Sequence, residues 1–313
     1  MSKTFNVVFM GTPVFAVPAL KALSEYGCQV PLVVTQPDKP KGRGRKLAPP
    51  PVKDAASQFG FPVIQPESVK TDEFYNRILK IAPDLLVVVA FGHVLPKRIL
   101  EIPAYGAINI HASLLPKYRG PAPIQWAIIN GETETGVTTM LMDKGLDTGE
   151  ILLTLKALIL SEDTAETLHD RLSLDGAEVL KSTLKGLESQ SIRPITQQHA
   201  LATYAPMLSK KDGCIDWSLP AKKIEQFIRG MTPWPGAFTF YDDKRLKIFK
   251  AKIKSMNTLE EPGKVIEGFS NELRISTGDG ALSITEIQGS SGKRLNISDF
   301  LRGCHIPVGT VFT

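Results

Sequence analysis

Apolar, largely β-branched runs recur through the first half of the chain: Phe5–Met10, Val30–Thr35, Leu85–Phe91, Ala107–Ile110 and Val137–Met142. Between several of them the apolar positions fall at helical spacing, over Val14 to Tyr26 and Asp72 to Ile81. Unbroken apolar strands belong where both faces of a sheet are covered, whereas half-exposed strands alternate. Their alternation with helices predicts an α/β unit with a parallel sheet and helices on both faces. Pro62–Ile64 is a shorter and weaker strand candidate. Open sheets of this kind take their ligand beyond the carboxyl ends of the strands.

From about Glu188 to Met207 the periodicity fades into Ser, Gln and isolated Pro, the texture of a connection between domains. Beyond it, Trp234-Pro235-Gly236 reads as a turn. Gly278-Asp279-Gly280, between Leu273–Ser276 and Ala281–Ile287, reads as a hairpin. Short strands with frequent turns predict a small β-barrel or sandwich. A chain of 313 residues exceeds what one hydrophobic core usually serves. The expected division is 1–190, a linker over 191–208, and 209–313.

Apolar content of 42% and charged content of 22% are ordinary for a soluble globular protein. The first residues lack a long apolar segment, and the longest apolar stretch, Leu85 to Phe91, is too short to cross a bilayer. No membrane association is expected. Cys28, Cys214 and Cys304 form no C-x-x-C pair, which argues against a disulfide framework and a zinc knuckle. The expectation is a cytoplasmic protein without a metal, and a monomer. The turn after the first run, Met10-Gly11-Thr12-Pro13, is not G-x-G-x-x-G, and G-x-x-x-x-G-K-[ST] is absent. Neither a dinucleotide nor a nucleoside triphosphate is indicated.

The net charge of +5 is unevenly placed. Residues 1–190 hold 20 of the 37 basic and 20 of the 32 acidic residues, which leaves 17 against 12 for the remainder. Two clusters stand out. Lys39-Pro40-Lys41-Gly42-Arg43-Gly44-Arg45-Lys46 has five basic residues in eight and runs into Pro49-Pro50-Pro51. It is a solvated loop, or an arm that meets phosphates and base edges through Lys41, Arg43, Arg45 and Lys46. The second, Arg245 to Lys254, alternates basic and apolar residues as a half-buried strand does, and slips by one at Ile248–Phe249 as at a β-bulge. Its lysines Lys247, Lys250 and Lys252 either protect a sheet edge or track a phosphate backbone.

The chemistry centres on Asn109-Ile110-His111. Residues two apart on a strand share a face, and Pro116 stops the strand soon afterwards. An amide donor beside an imidazole at a strand end suits an oxyanion and a proton. Asp147 lies in the Gly-rich loop Gly145-Leu146-Asp147-Thr148-Gly149. Asp is an everyday turn residue. If that loop folds against the Asn109 strand, however, Asp147 can orient the imidazole or pass a proton. Such a set suits attack by an amine on an acyl carbon.

These segments resemble the folate-dependent formyltransferases, and among them the methionyl-tRNA formyltransferases, essentially end to end. The shared pieces are Gly11-Thr12-Pro13, Thr35-Gln36-Pro37-Asp38 with Gly42-Arg43-Gly44, and Asn109-x-His111-x-Ser113-Leu114-Leu115-Pro116. Arg119-Gly120-x-Ala122-Pro123-Ile124-Gln125, Ile128-Ile129-Asn130-Gly131 and Gly145 to Gly149 continue the likeness. Ile215-Asp216-Trp217 and Pro233-Trp234-Pro235 are similar to the tRNA enzymes specifically.

The resemblance implies a Rossmann-like formyl-transfer domain and a C-terminal barrel of oligonucleotide-binding type. It implies 10-formyltetrahydrofolate as donor and initiator methionyl-tRNA as partner. Asn109, His111 and Asp147 take the catalytic positions, and Ser113, Leu114, Leu115 and Pro116 the folate-contact segment. Phe91 and Gly92 are expected beside the folate, because an apolar strand end suits an aromatic heterocycle. Arg43 matches the loop residue that reaches the acceptor end of the tRNA. The rival readings are a formyltransferase or hydrolase acting on a small-molecule amine, and a non-catalytic RNA-binding module.

Overall fold

The computed structural model describes residues 4–41, 46–254, 256, 259–269, 271–290 and 292–313. By its contacts the chain divides into two units. One comprises Met1–Gly120, Glu134–Leu158 and His169–Ala205; the other Pro121–Thr133, Ile159–Leu168 and Pro206–Thr313.

The first unit begins with β1 (Asn6–Gly11), α1 (Val17–Tyr26), β2 (Gln29–Val34), the short strands β3 (Lys39–Lys41) and β4 (Lys46–Ala48), α2 (Pro51–Gln58) and β5 (Val63–Ile64). It continues through α3 (Asp72–Ile81), β6 (Leu85–Val89), α4 (Lys97–Leu100) and β7 (Ala107–His111). After α5 (Pro123–Ile129), which groups with the second unit, come β8 (Glu134–Leu141), β9 (Ile151–Leu158) and α6 (Ala165–Glu188). The main sheet has the order β5-β2-β1-β6-β7-β8-β9. Its pairings are parallel from β5 to β7, and β8 and β9 add antiparallel. This is a mostly parallel sheet, as the pattern implied, and a Rossmann-like one, as the resemblance implied.

Alternate residues explain the continuous apolar runs. Val8, Met10, Leu86 and Val88 pack with Phe74, Ile78 and Ile99 of α3 and α4, while Val7, Phe9, Val87 and Val89 on the opposite face are also fully buried. On β7 and β8, Ile110 and Val137 meet α6 at Gly176, where a Cβ would crowd the Ile110 Cγ2 at 3.1 Å. The Thr139 and Thr183 hydroxyls, 2.8 Å apart, tie β8 to the same helix. Thr71 caps α3 by accepting the Phe74 N–H at 3.2 Å, and the helix starts where the spacing places it.

One boundary differs in a way that matters. The apolar run continues to Phe91, but β6 stops at Val89 because Ala90 takes a left-handed φ of 45°. Phe91 and Gly92 therefore sit on the loop beyond the strand. Strand order reverses between β1 and β6, so their carboxyl ends flank the crevice where such sheets bind ligands.

The second unit holds α5, α7 (Ala221–Met231), β10 (Ala237–Tyr241), β11 (Lys244–Lys254), β12 (Val265–Ile266), β13 (Leu273–Ser276), β14 (Ala281–Gln288), β15 (Leu295–Asn296) and α8 (Ile297–Gly303). Its antiparallel sheet runs β10-β11-β14-β13-β12, with β15 on β14. Residues 309–313 join the two ends of that order. Val265 N–H donates to Thr310 O at 2.7 Å and Phe312 N–H to Gly263 O at 2.9 Å on one side. On the other, Phe240 and Thr313 exchange both backbone bonds, at 2.7 and 3.2 Å. The sheet thus closes into a small barrel around Trp217, Ile248, Ile275, Leu282, Ile284 and Phe312. The expected hairpin at Gly278-Asp279-Gly280 joins β13 to β14.

β11 shows the slip read from its sequence, since its register against β14 shifts on either side of Lys250 and passes over Phe249. The protected-edge reading needs correction at Lys247 and Ile248. Lys244–Ile248 pairs with β10, and β14 takes over on the opposite side from Lys247 onward, so the strand is interior where the two overlap.

Candidate active site

Asn109 and His111 stand on β7, which is gripped on both sides: Asn109 pairs with Val88 of β6 and Met140 of β8, and His111 with Thr138. Their shared face is the consequence of strand geometry. The loop after β8 returns Asp147 to them. Asn109 Nδ2 lies 3.5 Å from Asp147 Oδ1. His111 Nδ1 lies 3.6 Å from Asp147 Oδ2. The side chains are largely enclosed, His111 at 7% and Asp147 at 14% exposure. Sequence reasoning places these three together, and the structure does bring them together.

The geometry fixes more than proximity. His111 Nε2 is 2.9 Å from Tyr118 O, and a carbonyl can only accept, so that nitrogen carries a proton. Nδ1 is left facing the carboxylate across a gap wider than a hydrogen bond. The Gly120 N–H donates to Asp147 Oδ2 at 2.8 Å. Residues 118 and 120 therefore hold the imidazole and the carboxylate from one short segment. Neither backbone group carries any sequence signal of its role.

Asp147 itself has φ 52°. Its loop is closed at the start by Asp143 Oδ1, which accepts from the Gly145 N–H at 2.9 Å and the Thr148 hydroxyl at 2.6 Å. At the end, a Cβ on Gly149 would run into the Leu141 carbonyl oxygen, so only glycine fits there. Gln197 Nε2 donates to Asp147 O at 2.9 Å and Gly149 O at 2.7 Å. Its Oε1 accepts from Arg119 Nε at 3.1 Å and Nη2 at 2.6 Å. Gln197 comes from the stretch whose sequence shows only fading periodicity, and nothing in its spacing flags it.

The Ser113 to Pro116 segment is a turn whose polar atoms are spent internally. Ser113 Oγ donates to Lys117 O at 2.6 Å, and Thr138 Oγ1 donates to Ser113 O at 2.7 Å. Ser113 and Leu115 are buried, and Leu114 and Pro116 keep partial exposure. At the crevice, Phe91 is buried, and its carbonyl accepts from Thr12 Oγ1 at 3.0 Å and Gln36 Nε2 at 3.1 Å. Gly92 has φ 80°, and a Cβ there would strike the Gln36 amide.

Gln36 also reaches the basic hairpin, since Lys39 Nζ donates to its Oε1 at 2.5 Å. Lys53 and Gln65 beside Asp38 hold its carboxyl below the usual carboxylate range, anchoring the same base. Lys46, on β4, is exposed. Arg43, Arg45 and the Lys41 side chain lie outside the described residues.

In the second unit Lys250 and Lys252 are exposed and Lys247 is half-buried. Lys250 Nζ is paired with Glu162 at 3.0 Å, and the ammonium holds that carboxyl low. Among the described residues no group of three or more His, Cys, Asp or Glu side chains is placed to hold a metal ion. No helix there is long and apolar enough to cross a membrane.

Residues 5–184 match the model of the formyl transferase family, and residues 207–305 match that of the formyl transferase C-terminal domain. A methionyl-tRNA formyltransferase of Caldanaerobacter subterraneus subsp. tengcongensis is 53% identical over 307 residues, covering 98% of this chain and 99% of that one.

Two solved structures share the fold. HypX from Aquifex aeolicus in complex with tetrahydrofolic acid has a TM-score of 0.64 at 17% identity, over 96% of this chain and 47% of that one. An N-formyltransferase from Helicobacter canadensis, in complex with folinic acid and dTDP-3-aminofucose, has a TM-score of 0.66 at 19% identity, over 93% of this chain and all of that one. Both halves of the sequence are matched, and the first match spans the three converging side chains, so this chain belongs to the formyl transferase family.

Proposed function

We propose that this protein transfers the formyl group of 10-formyltetrahydrofolate to the α-amino group of methionine on initiator methionyl-tRNA. The observation that carries the reading is the convergence of Asn109, His111 and Asp147 in a chain half identical to a methionyl-tRNA formyltransferase over nearly all its length.

The crevice suits a folate. Phe91, buried in the core, backs the loop rather than lining the crevice, Gly92 removes a side chain from that loop, and Asn109 presents an amide donor at the adjoining strand end. Leu114 and Pro116 offer the apolar contact of the 113–116 turn, with Ser113 shaping the turn from inside. When bound, the folate supplies the formyl group.

The neutral amine attacks the formyl carbon, the carbon–N10 bond breaks, and the amine proton ends on N10. Asn109 Nδ2 donates to the oxygen as charge develops there, a contribution of about 3–4 kcal/mol for one such donor. Both His111 nitrogens are directed, one to Tyr118 O and one to the gap before Asp147. The imidazole thus acts towards Asp147 at Nδ1 rather than as a second direct donor to the oxyanion. Asp147 accepts the amine proton and returns it towards N10.

Arg43 reads the acceptor end of the tRNA, with Lys41, Arg45 and Lys46 along the same arm. Lys247, Lys250 and Lys252 meet backbone phosphates. The protein works as a monomer in the cytoplasm, beside the translation apparatus that supplies its acceptor. To test the reading, purified protein is given 10-formyltetrahydrofolate with initiator methionyl-tRNA, with deacylated tRNA, or with sugar-nucleotide amines, and folate release is followed. Turnover confined to the aminoacylated tRNA supports it. Turnover with a small amine alone overturns the choice of acceptor.

A further inference from the structure

We propose that Gln197 is a positioning residue for formyl transfer: it holds the Asp147 loop in its reactive shape, and Arg119 fixes which way the Gln197 amide points. The inference rests on the formyl-transfer reading of the site.

The loop needs an outside hold. Asp147 adopts a left-handed φ of 52°, a conformation that Asp tolerates better than most L-residues but that local contacts must still hold. Asp143 to Leu146, just before it, are exposed. Gln197 meets the need by donating both amide N–H groups, one to the carbonyl of Asp147 and one to that of Gly149.

The amide cannot turn over. Arg119 has only donors and the two loop carbonyls only accept, so Oε1 must face the guanidinium and Nε2 the loop. A flipped amide would set donor against donor and acceptor against acceptor at every contact.

The network also closes on the site. Tyr118 O holds His111, Gly120 N–H holds the Asp147 carboxylate, and the side chain of Arg119 between them returns through Gln197 to the backbone of Asp147. Arg119 N–H donates to Thr203 O, and Ala205 N–H donates to Arg119 O, so the segment is pinned from behind. Asp147 can then not drift from His111 without breaking several bonds.

Arg119 is 2% exposed and Gln197 4%. A satisfied buried polar network rigidifies the groups it joins.

Gln197→Glu tests this. The carboxylate keeps the length and the Arg119 contact but has no N–H for either loop carbonyl. Gln197→Met removes the same donors without adding charge. Against a wild type with established turnover, both variants are expected to lose about 10- to 100-fold in kcat, as two lost hydrogen bonds imply. KM for methionyl-tRNA and for 10-formyltetrahydrofolate should stay within about twofold, a split that general loss of folded protein does not give.

Hydrogen exchange over residues 143–150 supplies a readout that needs no activity and is expected to quicken in both variants. Wild-type kcat in either folded variant, or unchanged exchange over the loop, overturns the proposal. A wild type that moves no formyl group, with exchange still quickened by Gln197→Glu, overturns the functional reading and leaves the hold on the loop intact.

Discussion

Asp147 Oδ2 lies 3.6 Å from His111 Nδ1 while the same oxygen accepts the Gly120 N–H at 2.8 Å. The carboxylate is thus held by the backbone on one side and left open to a proton on the other. Asp147→Asn separates the two roles, because an amide oxygen still accepts from Gly120 but takes no proton. A kcat loss of about 10²- to 10⁴-fold is expected with KM little changed, read by steady-state kinetics. A mere rise in KM would assign Asp147 to binding.

His111→Ala and Asn109→Ala are expected to lose rate far more than tRNA affinity. For Asn109 the loss is about 10²- to 10³-fold, the usual effect of removing one oxyanion donor. Single-turnover rates together with filter binding give both quantities. Near-normal turnover in His111→Ala would remove the imidazole from the mechanism.

Lysines on β11 differ in what they are free to do. Lys250 is paired with Glu162, whereas Lys252 is exposed beyond the bulge. Lys252→Ala is expected to weaken tRNA binding at all sequences and flatten the salt dependence of log K by about one unit of slope. Lys250→Ala should change the slope less, since Glu162 already offsets that charge. Equal slopes in the two variants would count against this distinction.

Glu272 carries an acid-sensitive contribution to the barrel. Burial opposes its ionisation, yet hydrogen bonds from Ser283, Arg274, the Phe269 N–H and Lys254 bring it from 4.5 down to about 2. The folded state therefore gains from the charge above the ordinary carboxylate range, and the gain is lost as pH falls from 4.5 towards about 2. Glu272→Gln should flatten the pH dependence of urea stability across that window, and an unchanged slope would dismiss the group.

Barrel closure can be probed at Phe312, which is 2% exposed and packs near Trp217 and Tyr241. Phe312→Ala is expected to cost about 3–5 kcal/mol in urea unfolding. A cost near that of a surface substitution would show that residues 309–313 merely lie along the sheet.

What the sequence disclosed follows from what has a period. Ala107–Ile110 and Leu85–Phe91 read as buried strands because their apolar runs are unbroken, and with Pro116 as the stop this puts Asn109 and His111 at a strand end, although β6 itself ends at Val89. The glycines around Asp147 marked a loop that could approach them.

What lay hidden has no side-chain signature. The Tyr118 carbonyl and the Gly120 N–H are backbone groups, and Gln197 sits in a stretch with no pattern. β9 carries no unbroken apolar run, because its Thr154, Leu155 and Lys156 are exposed. α6 is absent from the predicted helices; it carries Gly176 and Gly186, which lower helix propensity but make room for Ile110 and Ile192. The barrel's closing segment, 309–313, pairs over too few residues to read as a strand.

The central claim is that three side chains act as one unit on a single carbonyl, and a double-mutant cycle measures it most directly. Single-turnover formyl transfer to initiator methionyl-tRNA is compared for Asn109→Ala, Asp147→Asn and the double variant. Groups acting on one transition state are strongly non-additive, so the double variant should be little slower than the slower single one. Losses that simply multiply would mean that the amide and the carboxylate act independently, and would contradict the mechanism.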